Sequence, residues 1–280
     1  MDMHENGASR TALRVAARRA AHQILDRPPV FEDPLALAIV GAEAAAKAAS
    51  EASSPSLRAF MAARSRFAED ELARAVERGV RQYVVLGAGL DTFAYRNPYA
   101  APGLRVFEVD HPATQAWKRG RLLSAGIEIP AQIVFVAVDF ERQSLADALP
   151  SSGFLAGEPA FFSWLGVVPY LTEGAFLATM SFIAGLPPAS GVVFDYAVPR
   201  HALSPREQLA LDALASRVAA AGEPFQLFFE PAALAAQVRR LGFRHLVDLD
   251  AAEINSRYFR DRADGLAIRG RAGRLLCVRV

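Results

Sequence analysis

A single cysteine in 280 residues, Cys277, excludes an internal disulfide and is compatible with a reducing compartment. It stands in the terminal apolar run LLCVRV, which reads as an inert core position. No apolar stretch is long enough to span a bilayer, so a cytoplasmic protein without membrane contact is expected. An excess of charge of one sign is lacking too. With 31 Lys and Arg against 30 Asp and Glu, well mixed along the chain, nothing suggests a nucleic-acid or membrane binder. The five histidines (His4, His22, His111, His201, His245) show no metal-ligand spacing, and a metal-independent protein is expected. No internal repeat appears.

What is present is apolar bulk, 52% of the residues, enough for one sizeable core without a staple. The chain is organised around QYVVLGAGLDTFAYR, residues 82–96. A β-branched run ends in Gly87-Ala88-Gly89, and a helix-compatible segment follows. This predicts a buried parallel strand feeding a glycine turn where backbone can approach a ligand, with free helix N–H groups beyond it. The third glycine of a dinucleotide fingerprint is missing, since Thr92 stands in its place, and Asp91 lies where a pyrophosphate would sit. Both departures favour a nucleoside ligand without a diphosphate. A tight turn with no ligand is the alternative.

Four helices are expected before that strand, over residues 11–24, 31–40, 42–52 and 57–78, the last capped by Ser56 and stopped at Gly79. The arginine-rich start, with no acid between Gly7 and Leu25, has the charge bias of a transit peptide. However, Leu13, Ala17, Ala20 and Ile24 recur at helical spacing, which fits a helix packed on the body. In the fourth helix Arg64 falls on the apolar stripe with Phe60, Met61 and Phe67. A guanidinium there needs a partner, either an internal acid such as Glu69 or a ligand carboxylate; the ligand is favoured.

Beyond residue 82, strand-like and helical runs alternate, the mark of parallel βαβ construction. Strands are expected over 82–86, 105–110, 133–139, 160–166, 191–197, 244–250 and 274–280. The intervening helices are placed at 112–125, 144–149, 172–185, 204–221 and 231–241. The last two strands flank a polar segment rich in Asn, Arg and Tyr. An α/β, doubly wound sheet with an antiparallel edge hairpin follows, with ligands off the carboxyl ends of the strands. Asp110 lies about twenty residues past the glycine turn, the spacing of a ribose-binding carboxylate; a helix N-cap is its alternative. Asp139 is placed to accept from an exocyclic amine while Phe140 packs on a ring, or else it caps a turn. Asp91 could hold a ligand ammonium or cap a helix. A nucleoside site with no diphosphate fits S-adenosylmethionine.

The linked segments SRFAEDELARAVERGVRQYVVLGAGLDTFAYR, VFEVDHPATQAWKR, VDF and SWLGVVPYLT resemble the leucine carboxyl methyltransferase family of class I S-adenosylmethionine-dependent methyltransferases. The likeness is greatest to its bacterial small-molecule O-methyltransferase branch. It runs from about Arg27 to the C-terminus. The resemblance implies a single domain with a Rossmann-like doubly wound seven-stranded sheet, the last strand antiparallel. A helical cap would occupy residues 1–80 and a substrate-covering insertion residues 198–230 of the 81–280 core. It implies that Arg64 contacts the methionine carboxylate, that Gly87 and Gly89 lie against the cofactor, that Asp110 binds the ribose, and that Asp139 and Phe140 bind the adenine. Tyr170 would face the acceptor. Where the family often has Glu-Gly this chain has Leu165-Gly166, which removes one cofactor contact. The implied reaction is in-line displacement onto an acceptor oxygen. A carboxylate acceptor is already ionised, whereas a hydroxyl wants a base, with His111 and His201 as candidates. Phe225, Leu227, Phe228 and Phe229 suggest a partly apolar acceptor, or else pack on the core. A nicotinamide-dependent oxidoreductase and a non-catalytic S-adenosylmethionine-binding module are the rival readings.

Overall fold

The computed structural model describes residues 10–50, 54–139, 143–220 and 222–280. Seven strands form one sheet: β1 (Gln82–Leu86), β2 (Arg105–Asp110), β3 (Ile133–Ala137), β4 (Ala160–Trp164), β5 (Gly191–Ala197), β6 (His245–Leu249) and β7 (Gly273–Arg279). Their order is β3-β2-β1-β4-β5-β7-β6. β1 to β5 run parallel, and β7 is antiparallel to both β5 and β6. The chain therefore reverses its winding between β1 and β4, which opens a crevice at their carboxyl ends.

β1 and β4 are buried along their whole length, as expected of central parallel strands covered on both faces. On one face pack α6 (Leu145–Ser151), α7 (Glu173–Ala184) and α9 (Pro231–Arg240). The other face carries α4 (Pro55–Glu77) and α10 (Ala251–Tyr258). A third cluster joins α1 (Arg10–Leu25), α2 (Ala36–Val40), α3 (Ala42–Ser50) and, through Leu122, α5 (Pro112–Ser124). Helix α8 (Pro205–Ala219) follows β5. Among the described residues no helix is long and apolar enough to cross a membrane.

Several expectations are corrected. No α-helix follows the glycine turn. Phe93–Tyr95 makes a single 3-10 turn, and Pro98 disfavours helix at the residue before it. The fourth helix starts at Pro55 with Ser54 at its N-cap position, while the Ser56 hydroxyl bonds the backbone of Arg269. The helix expected from residue 31 begins only at Ala36, after a turn held by Asp33. The polar stretch between the last strands contains α10, started by a reciprocal capping box of Asp250 and Glu253. β3 and β4 each end two residues early, so Asp139 lies beyond its strand.

Candidate active site

A cavity of about 360 Å³ lies at the carboxyl ends of β1, β2 and β4, within the usual range for small-molecule sites. Its floor is the turn Gly87–Asp91. Gly87 has φ +66°, and a Cβ built on it would lie 2.4 Å from Val167 Cγ2, so only glycine fits. Most amides of this turn are paired within the chain. Gly87 and Ala88 N–H groups donate to Val109 O at 2.8 and 3.1 Å, and the Gly89 N–H donates to Asp110 Oδ2 at 2.5 Å. Among the described residues the Leu90 amide has no acceptor, so one N–H group of the turn stays open, and no α-helix follows to add more. With most of its amides paired and two carboxylates in the wall, the turn is a poor diphosphate cradle.

Asp110 ends β2 and reaches this floor. Its Oδ1 takes the His111 amide at 2.7 Å. Burial pushes its carboxyl upward, against the pull of the two amides. Each oxygen keeps a lone pair for a hydroxyl. Asp91 lines the same cavity with its side chain 26% exposed. One of its oxygens takes the Phe93 amide at 2.8 Å and the other faces Arg19 at 3.4 Å. Burial pushes the Asp91 carboxyl up, but Arg19, Lys118 and Arg96 outweigh it and hold the group below its ordinary range. Asp91 thus makes the turn cap and keeps a face to the cavity.

Arg64 lines the cavity from α4, buried at 4% exposure. Its partner within the chain is an internal acid, Asp195 and not the expected Glu69. Nη1 donates to Asp195 Oδ2 on β5 at 2.9 Å, while Glu69 pairs with Arg96. Helix α1 forms the roof through Thr11, Ala12, Val15 and Arg19. Arg19 fastens that roof, donating from Nη2 to Leu90 O at 2.8 Å and pairing with Asp33 at 3.4 Å.

The remaining wall comes from the 3-10 turn Val168–Tyr170 and from residues 222–226. Gln226 and Leu227 amides both donate to Pro169 O, and Gln226 Nε2 donates to Tyr170 O at 2.8 Å. Tyr170, Glu223 and Gln226 line the cavity. The Tyr170 phenol is pushed up to about 12, by burial and by the nearby Glu223 carboxylate.

Of the residues singled out in the sequence, Arg64, Gly87, Gly89, Asp110, His111 and Tyr170 converge on this cavity. Asp139 does not line it, although the preceding Val138 does. Phe140 lies outside the described residues. His111 is exposed, and its Nδ1 accepts the Ala113 amide at 3.2 Å as the N-cap of α5. That ring nitrogen is thereby engaged as an acceptor. His201 does not line the cavity: it sits on the surface beside Glu230 at 2.7 Å. None of Phe225, Leu227, Phe228 and Phe229 lines the cavity. Leu227 and Phe229 are core, Phe225 packs on the Tyr170 ring, and Phe228 packs on the core and on Phe225. The wall they support is polar. Among the described residues no cluster of His, Cys, Asp and Glu is able to hold a metal.

Residues 12–184 match the model of the family described as leucine carboxyl methyltransferase. The chain belongs to this family. A protein of Bacillus subtilis (strain 168) named "Putative S-adenosyl-L-methionine-dependent methyltransferase YktD" is 32% identical over 293 aligned positions, covering 95% of this chain and 96% of that protein. A Mycobacteroides abscessus protein of the same general name is 40% identical over 171 positions, 59% of this chain and 56% of its own length. Among solved structures, one titled "a putative methyltransferase" from Thermobifida fusca superposes with a TM-score of 0.60 at 17% identity, over 95% of this chain and 93% of that one. This last likeness concerns the fold, which is the class I methyltransferase architecture. By family the chain is a methyltransferase, so the nicotinamide and non-catalytic readings fall away.

Arg19, Asp195, Glu223 and Gln226 escaped the sequence reading. Asp195 had left a trace: a lone acid inside the apolar strand GVVFDYA is costly to bury without a partner.

Proposed function

We propose that the enzyme uses S-adenosylmethionine to methylate an oxygen, carboxylate or hydroxyl, of a small acceptor by in-line displacement. The observation that carries this reading is the convergence of a glycine floor, Asp110, Asp91 and Arg64 on one small cavity. The donor set suits that cofactor. Asp110 offers lone pairs to a ribose diol, Asp91 a negative charge to an ammonium, and Arg64 donors to a carboxylate, while most amides of the turn are already paired and offer little to a diphosphate. When bound, the cofactor supplies a methyl group on a sulfonium.

The chain's own residues then bind, orient and exclude water. The α1 roof and the clamped wall 222–226 close the cavity around the reactants and hold them in a reactive arrangement. Tyr170, with its phenol pushed up to about 12, keeps its proton at neutral pH and acts as a hydrogen-bond donor to the acceptor, orienting it. A carboxylate acceptor needs nothing more. For a hydroxyl acceptor, Glu223 on the same wall is better placed than His111, whose Nδ1 caps α5.

Titration calorimetry with S-adenosylmethionine, S-adenosylhomocysteine and NADH tests the cofactor. Micromolar binding of the first two and none of the third is expected; binding of NADH alone overturns the reading. Transfer of labelled methyl to a panel of carboxylic acids and phenols then sorts the acceptor class.

A further inference from the structure

A buried guanidinium offsets the loss of its hydration only when its remaining donors also find partners. Arg64 has five donors and spends one. Its Nη1 donates to Asp195 at 2.9 Å, and among the described residues Nε and Nη2 have no partner. The group is nevertheless held tightly. The second oxygen of Asp195 takes the Gly166 amide at 2.5 Å, which ties β5 to the turn after β4. Gly166 has φ +70°, and a Cβ there would lie 2.9 Å from both Nη1 and Nη2, so the guanidinium rests against bare backbone. Asp195 is itself only 6% exposed, between Phe194 and Tyr196.

We infer that Asp195 is a positioning residue, which grips Arg64 by one edge and presents its remaining donors to a carboxylate of the ligand in the cavity. Asp195 touches no ligand itself. It fixes the rotamer of Arg64, and Gly166 leaves the room. Arg64 lines the cavity, and the donors that Asp195 does not take are available to a ligand there. The inference rests on the S-adenosylmethionine reading, and it locates the end of the cavity where the methionine carboxylate is read.

The test compares S-adenosylhomocysteine with its decarboxylated form, which keeps the amine and lacks the carboxylate. The wild-type protein should prefer the former by about tenfold or more, the scale of a charge-assisted pair. In Asp195→Asn that preference should fall to about threefold or less, while affinity for the decarboxylated form changes by less than about twofold. A scaffold role predicts that both ligands weaken together; that result, or an unchanged preference, overturns the inference. Asp195→Ser, which keeps an acceptor for the Gly166 amide, is measured in parallel and decides by the same readout should the Asn variant not fold. Wild-type protein that binds both ligands equally refutes the role of Asp195 alone. Wild-type protein that binds neither refutes the cofactor reading, and the inference with it.

Discussion

Asp110 does two jobs at one strand end: it ties the glycine turn to β2 through Gly89 and keeps lone pairs toward the cavity. Asp110→Ala should therefore weaken S-adenosylhomocysteine by at least tenfold, about 1.4 kcal/mol or more, as loss of a charged acceptor does. Thermal unfolding of the free variant separates this from collapse of the turn, and an unaltered affinity would remove Asp110 from the site. This residue was legible because its distance from the turn is set by one β-strand connection, whatever the loops do. Asp139 was less so. Its strand stops at Ala137, and nothing in a run of apolar residues marks where pairing ends. Arg64 was recognisable as a buried charge, but its partner comes from β5, 131 residues away, beyond the reach of any periodicity argument.

At the scale of elements, caps decide where helices begin and what they touch. Helix α8 opens with a capping box in which Glu207 takes the Ser204 amide and hydroxyl, and its other oxygen takes the Arg271 amide at 2.8 Å. These bonds hold the Glu207 carboxyl down at about 2, the Ser204 hydroxyl contributing most. A folded value below the unfolded one means stability that is present above the unfolded value, near 4.5, and is lost as pH falls toward 2. Glu207→Gln should lower the melting temperature near pH 7, and the gap to wild type should close on acidification to about pH 2. A gap that stays constant with pH would assign the bond no charge component. The same kind of cap, Asp250 with Glu253, was written in the sequence ahead of α10. It went unread because the helix buries only Ala251 and Ile254 and otherwise looks like loop. Of the two readings given to the aromatics at 225–229, packing on the core is the one the structure bears out. Hydrophobicity announces burial, but not whether the surface met is core or ligand.

Across the whole molecule, the helical roof and the sheet are joined by buried charges as well as by apolar contact. Asp33, wholly buried, accepts from the Thr92 hydroxyl at 2.7 Å and faces Arg19 at 3.4 Å and Arg96 at 3.6 Å. Arg96 in turn pairs with Glu69 of α4. Removing one member of such a buried network leaves uncompensated charge, so Asp33→Ala should cost about 3–5 kcal/mol in urea unfolding. A loss below about 1 kcal/mol would mean that the roof holds by packing alone. The alternating pattern of strands and helices made the sheet legible from the sequence. The roof's attachment was not, because its members come from four separate stretches and only the folded chain brings them together.

The wall at 222–226 has one more consequence. It hangs from Pro169 by backbone amides, which any sequence supplies, and it lies well beyond residue 184, where the family match ends. The floor thus lies within the stretch that the family model describes, and the wall outside it. Because the bonds to Pro169 come from backbone, a change of side chains in the wall would alter the groups that face the cavity while leaving its floor as it is.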